Sequence, residues 1–344
     1  MRLGLNIGYF GAQMPGITDA VEHADRIGFD SLWAAEAYGS DAATVLAFMA
    51  ARTERIELGS AILQIPARTP AMTAMTAMTI DALSNGRFNL GLGLSGPQVV
   101  EGWHGVPYGK PLRRTREHVE IVRRIIARER PVEFDGEEYQ IPYTGPDAMG
   151  IGKPLKSILH PVRDRIPVYL AAVGPKNVAL TAEIADGWLP IFFSPEREEL
   201  FTGPLDEGLS RAGRDVDDVD VAATVHVVMG DDVDACRDMV RPIVALYVGG
   251  MGGWREKNFY YNLACRYGFE QAATEIQDLY WERRRDEAAA AVPAELIDEI
   301  ALVGPEGRIR ERLDAWKASR VTHLLASPLA PDVSALEVLR DAID

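Results

Sequence analysis

Glycines at 91, 93 and 96 give the stretch DALSNGRFNLGLGLSGPQ the spelling G-x-G-x-x-G, that of a loop wrapping a dinucleotide pyrophosphate. That chemistry needs the glycines to close a first strand and open a long helix, with an acid ending a second strand about twenty residues on. Three strand and helix units already precede Gly91, so the first condition fails. The residues after Gly96 are broken by Gly102, Gly105, Pro107, Gly109 and Pro111, and Glu117 and Glu120 fall inside a helical pattern, so the other two fail as well. The glycines mark a strand exit, either a turn that needs small residues or the rim of a ligand site.

A second stretch, Val173-Gly174-Pro175-Lys176-Asn177, joins an apolar strand to a helix, with Pro175 suited to the first helical position. Unbonded N–H groups at such a start attract an anion, and Lys176 adds charge; the plain alternative is a helix start with an adventitious lysine. Glu36 ends another apolar run, where it either handles a proton or binds nearby backbone. Glu101, Trp103 and His104 are read as structural before catalytic. The histidines show no H-x-x-x-H or H-E-x-x-H spacing, and Cys236 and Cys265 form no C-x-x-C, so metal dependence is not expected.

These groups need strand ends to hold them. Short apolar runs begin at Arg2, Ser31, Arg55, Arg87, Ile166, Trp188, Val221 and Val321, with helical stretches starting near Gly16, Asp41 and Pro70 between the early ones. Strands alternating with helices imply a parallel sheet, and eight is the number that closes a barrel. Residues 94–165 and 231–320 are too long for simple crossovers and are expected to be insertions, after the fourth and seventh strands, in one domain spanning 1–344. The first holds a helix near 113–128 and a hairpin signal at Asp135-Gly136, placed outside the barrel. The second holds the aromatic run NFYYNLACRYGF, expected as lid or dimer surface, and a last helix near 305–319. In AMTAMTAMT, Met72, Met75 and Met78 form a slanting apolar stripe expected to pack against the barrel.

The 344 residues are 47% hydrophobic and 25% charged, enough apolar surface for a large core without disulfides. A net charge of -15 argues against nucleic acid or an anionic membrane as the main partner. With two isolated cysteines, no leader-like start and no apolar run of membrane-spanning length, a cytoplasmic protein is expected.

Five segments carry a resemblance: LWAAEAYGSDA and IDALSNGRFNLGLG resemble the bacterial luciferase-like superfamily, AAVGPKNVALTAEIADGW resembles its members that use the deazaflavin coenzyme F420, and SGPQVVEGWHG and LPIFFSPE resemble an actinobacterial subfamily of F420-dependent oxidoreductases, with LGSAILQIPARTP alignable to the end of their third strand. The resemblance implies a (β/α)8 TIM barrel with insertions, a homodimer, and a cofactor at the barrel's C-terminal mouth. It implies a non-prolyl cis peptide at Ala61-Ile62 behind the cofactor ring and a phosphate site at residues 173–177. The cofactor-binding residues it implies are Ser60, Ala61, Ile62, Ser95, Gly96, Gln98, Ala172, Val173, Gly174, Pro175, Lys176 and Asn177, with Glu36 as the catalytic candidate. Two departures matter: Ala37 stands where relatives carry a histidine, and Pro97 where sugar-phosphate dehydrogenase relatives carry a catalytic glutamate. The expected activity is hydride transfer between F420 and an unidentified small organic molecule. Two alternatives stand beside it: an FMN-dependent monooxygenase of the same fold, or a flavin- or deazaflavin-binding protein without turnover.

Overall fold

The structure, a computed structural model, describes residues 1–10, 17–251, 254–329 and 333–343. Its strands are β1 (Arg2–Asn6), β2 (Ser31–Ala34), β3 (Glu57–Ser60), β4 (Leu63–Gln64), β5 (Phe88–Gly93), β6 (Phe134–Asp135), β7 (Gln140–Ile141), β8 (Val168–Leu170), β9 (Gly187–Trp188), β10 (Asp220–Met229), β11 (Ala301–Gly304) and β12 (His323–Pro328). In the order β1, β2, β3, β5, β8, β9, β10, β12 they pair in parallel and return to β1, closing the (β/α)8 barrel expected from the sequence. The hairpin β6–β7 stands apart from that ring as its own antiparallel pair.

Three strands differ from expectation for local reasons. The third run divides: β4 pairs with β5 beyond the Ala61-Ile62 peptide, which is cis as the resemblance implied. Of the run WLPIFF only Trp188 is strand, the second residue of β9, because Pro190 has no N–H for the ladder and Phe192 turns left-handed at φ 56°. β11, inside the stretch 231–320, was not foreseen; it takes up the edge of β10 above the point where β9 stops, pairing at 226–229. A four-residue apolar run directly after the helix Ala294–Ile300 gives no periodic signal of its own.

The methionine stripe also needs correcting. In the helix Pro70–Leu83 the buried face carries Thr73, Ala74, Ala77, Met78 and Ile80, whereas Met72 and Met75 are more than half exposed. A repeat of three slips backwards by about 60° per step on a helix of 3.6 residues, so only its last member reaches the core. The helix Gly16 was expected to open begins at Thr18; Gly16 itself lies outside the described residues.

The barrel floor is a closed polar cluster. Trp33 Nε1 donates to Ser31 Oγ at 2.7 Å, and Ser31 Oγ lies 2.8 Å from His323 Nε2. His323 Nδ1 lies 3.3 Å from Asp220 Oδ2, which also accepts from the Tyr169 hydroxyl at 2.8 Å. With the imidazole proton on Nδ1 every member has a partner. The serine, histidine and aspartate of a hydrolytic triad are thus present, but Ser31 and His323 are fully buried at the N-terminal end and serve as a plug. Burial alone would raise the Asp220 carboxyl; its bonds to His323, Thr322 and Tyr169 outweigh that and hold it at about 2.

Outside the barrel, buried His118 ties its own helix, Pro111–Ala127, to two neighbours, with Nε2 3.0 Å from Thr73 Oγ1 and Nδ1 3.1 Å from the Tyr139 hydroxyl. Burial lowers its pKa to about 3. A depressed histidine stabilises the fold fully above its unfolded pKa, near 6.5, and the contribution falls as pH drops toward 3. His118→Gln keeps hydrogen-bonding atoms but cannot titrate. We therefore expect denaturant unfolding between pH 6.5 and 4 to show a slope about one proton shallower than wild type, ~1.4 kcal/mol per pH unit; equal slopes would refute the assignment.

Candidate active site

The C-terminal ends of the strands converge on one mouth. Ala61, Ile62 and Ala171 pack against the central apolar layer inside the barrel, made by Trp33, Tyr169, Leu189, Ala222 and Leu325. Ile62 crosses directly over Gly93: a Cβ on that glycine would lie 2.7 Å from Ile62 Cγ1. The bulge at 61–62 therefore stands over bare backbone and offers a flat apolar floor for a ring.

Beside it, Ser95 holds a left-handed φ of 58° and donates its hydroxyl to Gln64 Oε1 at 2.7 Å. His104 Nε2 lies 3.2 Å from the same oxygen, and Gln64 Nε2 donates to the Ala37 carbonyl at 2.6 Å. Gln64, buried and absent from the sequence reading, thus fastens the exits of β2, β4 and β5 to one another. Gly96 caps the short helix Pro97–Gly102, which carries Gln98 on its exposed side, and lies under the Met251 carbonyl. Trp103 and Glu101 are exposed, and Glu101 accepts from the Tyr108 amide at 3.3 Å.

Across the mouth, Val173 and Gly174 lead from β8 into the helix Pro175–Ile184, which no side chain caps. Its first turn keeps its positive end open, with Lys176 exposed beside it. Asn177 Nδ2 donates to the Ala171 carbonyl at 3.3 Å, while its buried Oδ1 has no partner among the described residues. An acceptor in that position fits a ligand hydroxyl, and the open helix end beside it fits a phosphate. Phe259, from the stretch 231–320, reaches within 3.8 Å of where a Gly174 Cβ would stand.

Two expected binding residues are buried, with polar groups engaged by the barrel itself. Ser60 is fully buried, and its hydroxyl both accepts from the Gly91 amide, at 2.9 Å, and donates to the Gly91 carbonyl, at 2.8 Å. It supports the bulge from below and has no hydroxyl left for a ligand. Ala172 is buried too, its carbonyl taken by Trp188 Nε1 at 2.9 Å.

Glu36 lies at the mouth, lining with Gln64, Arg68 and His104 a recess of about 270 Å³. Its Oε1 accepts from the Gln64 amide at 3.0 Å and its Oε2 from the Ala42 amide at 3.3 Å. Arg68 clasps both oxygens and also bonds Asp41 Oδ1 at 2.6 Å. Both carboxylate oxygens are therefore engaged by groups that fix the loop after β2.

The wall opposite is aromatic. Tyr247 and Tyr260 meet edge to face at 4.7 Å, and Phe192 packs against them at 5.1 and 6.0 Å. Tyr267 closes the set by donating its hydroxyl to the Phe192 carbonyl at 2.8 Å. The run NFYYNLACRYGF thus borders the mouth through Phe259 and Tyr260.

The family model described as luciferase-like monooxygenase matches residues 6–323. A putative coenzyme F420-dependent oxidoreductase of Mycobacterium tuberculosis is 47% identical over 330 residues, covering 95% of this chain and 95% of that protein. The 5,10-methylenetetrahydromethanopterin reductase of Archaeoglobus fulgidus is 30% identical over 320 residues, covering 91% and 89%. Among solved structures, the coenzyme F420 dependent tetrahydromethanopterin reductase from Methanopyrus kandleri superposes with a TM-score of 0.82 over 99% of this chain and 97% of that one, at 24% identity, a likeness of fold.

Proposed function

The chain belongs to the luciferase-like monooxygenase family, and on that premise we propose that it is an oxidoreductase that moves a hydride between coenzyme F420 and a small organic substrate. The observation that carries this reading is the pairing, across one mouth, of a flat bulge at Ala61-Ile62 with an uncapped helix start at Gly174. The relative named an F420-dependent oxidoreductase favours F420 over FMN as the molecule that spans them. Bound F420 supplies a ring carbon that gives or takes the hydride, and the protein supplies orientation and a dry surface.

In this reading Ala61 and Ile62 back the ring, with Ser95 and Gly96 at its edge and Gln98 at the rim. Asn177 Oδ1 accepts from a hydroxyl of the sugar-like side chain. Gly174, Pro175 and Lys176 meet its phosphate, and Val173 lines the path between. Glu36 positions the loop through Arg68 and carries no proton. Isolated cysteines, Cys236 and Cys265, suit a reducing cytoplasm.

Parallel titration with oxidised F420 and FMN, followed by absorbance and fluorescence, tests the cofactor. F420 is expected to bind tighter by about tenfold or more, ~1.4 kcal/mol. Tight FMN binding with oxygen uptake by the reduced flavin, and indifference to F420, would overturn the proposal in favour of a monooxygenase. We assign a homodimer to the uncharged face of the packed helices Ala42–Ala50 and Pro70–Leu83, which between them expose Phe48, Met72 and Met75. In a chain of charge -15 an uncharged face is where two copies meet with least repulsion. Sedimentation at twice the 37.8 kDa chain mass is expected, falling to one chain mass in Met75→Lys. A monomeric wild type would refute it.

A further inference from the structure

His226 is the buried polar group that the foregoing reading leaves without a task. Its side chain shares the inner face of β10 with Ala222, which belongs to the central apolar layer, and with Thr224, which accepts from Asn6 Nδ2 at 3.0 Å. Two residues further along the strand, His226 therefore points into the barrel at its C-terminal end. It is 8% exposed, and neither ring nitrogen reaches hydrogen-bonding geometry with any described residue. A buried imidazole with two unused polar atoms is costly unless something else satisfies them.

Its surroundings state what that something is. The ring leans on Phe192 at 6.2 Å, and through Phe192 joins the edge-to-face pair Tyr247 and Tyr260, both half-buried toward the mouth. The phenols of Tyr9 and Tyr38, which follow β1 and β2, lie within electrostatic reach of Tyr247. Burial lowers the His226 pKa to about 4, the nearby Ser327 backbone offsetting part of the fall, and burial pushes Tyr260 up to about 12. At neutral pH the set is uncharged, aromatic on its walls, and carries one imidazole N–H that has the Ser327 backbone nearby but no partner in hydrogen-bonding geometry among the described residues.

We propose that His226 is the substrate-facing hydrogen-bond donor of this aromatic wall, and that the substrate is an uncharged, flat molecule whose carbonyl oxygen accepts from the imidazole. The proposal rests on the reading of the mouth as a hydride-transfer site, since the donor then holds the oxygen next to the carbon that changes its hydride. A carboxylate-bearing substrate is excluded, because it would be stripped of water with no cation in the set to meet it.

Acetophenone, benzoate and ethylbenzene separate these demands, and saturation-transfer NMR reads their binding to the full-length protein with and without oxidised F420. Wild type is expected to bind acetophenone, to bind ethylbenzene more weakly and to ignore benzoate. His226→Phe is expected to weaken acetophenone by about tenfold, the size of one hydrogen bond, while leaving ethylbenzene unchanged. His226→Asn, which keeps a donor, is expected to recover part of the loss and guards against a misfolded first variant. Acetophenone binding that is equal in all three proteins, or no better than that of ethylbenzene in wild type, overturns the proposal. F420 titration of the same samples keeps the two readings apart: histidine-dependent ketone binding without F420 binding would sink the cofactor assignment alone.

Discussion

Gly91→Ala is expected to leave almost no soluble folded protein, whereas Gly102→Ala is expected to fold as wild type does. A Cβ on Gly91 would stand 1.7 Å from the Ser60 carbonyl oxygen and 2.9 Å from Leu189 Cδ1. The first obstacle is backbone, and it cannot step aside. Ser60 is the last residue of β3, and its hydroxyl is bonded to both the amide and the carbonyl of Gly91 itself. Moving β5 away would break those bonds and open the ladders to β3 and β8 in a closed ring. A side chain forced into a packed core costs about 1–3 kcal/mol; where backbone must give way we expect more than about 4 kcal/mol, a large part of a domain's total stability. At Gly102 no atom lies within 4 Å, and alanine there adds helix propensity worth about 0.5–1 kcal/mol. Soluble yield and melting temperature decide the matter, and a Gly91→Ala protein melting within a few degrees of wild type would show the strands less tightly locked than described.

The same contacts explain what could and could not be read in advance. Two glycines of the G-x-G-x-x-G spelling answer to different neighbours, Gly91 to the Ser60 carbonyl and Gly93 to Ile62, whereas a Cβ on Gly96 would meet the Met251 carbonyl at ordinary contact distance. The spelling was legible as a strand exit, but these causes come from elsewhere in the chain. The flanking residues were more informative because part of their task is local, although Arg87 also bonds Thr53 and Ile56 and Asp81 also pairs with Arg163. Asp81 Oδ1 accepts from the Phe88 amide at 3.1 Å, Asn85 and Gly86 supply left-handed turns, and Arg87 Nε donates to the Ser84 carbonyl at 2.8 Å. Strand number and order followed from apolar runs in the same way. Gln64, Arg68 and His226 gave no such signal, since the groups they meet or face arrive through tertiary packing. For Ser60 only the register to β5 shows the hydroxyl already in use.

Arg68→Met is expected to destabilise the protein by about 3–5 kcal/mol, because it strands a carboxylate whose side chain is only 6% exposed. Glu36 would keep two backbone donors but lose the bidentate guanidinium, and Asp41 would lose its ion-pair partner. Adding Glu36→Gln to Arg68→Met removes the buried charge and is expected to recover about 1–3 kcal/mol, the coupling a double-mutant cycle assigns to neighbours in one network. The cycle also decides what Glu36 does. A positioning carboxylate makes Glu36→Gln lower stability and F420 affinity together, since the loop that carries Ala37 and its bond to Gln64 shifts with it. A proton carrier instead makes Glu36→Gln lose turnover with stability and affinity intact. Because both oxygens of Glu36 are already bonded and Ala37 supplies no imidazole to relay a proton, the first pattern is the one expected. Denaturant unfolding and F420 titration on the four proteins of the cycle separate the two without any substrate in hand.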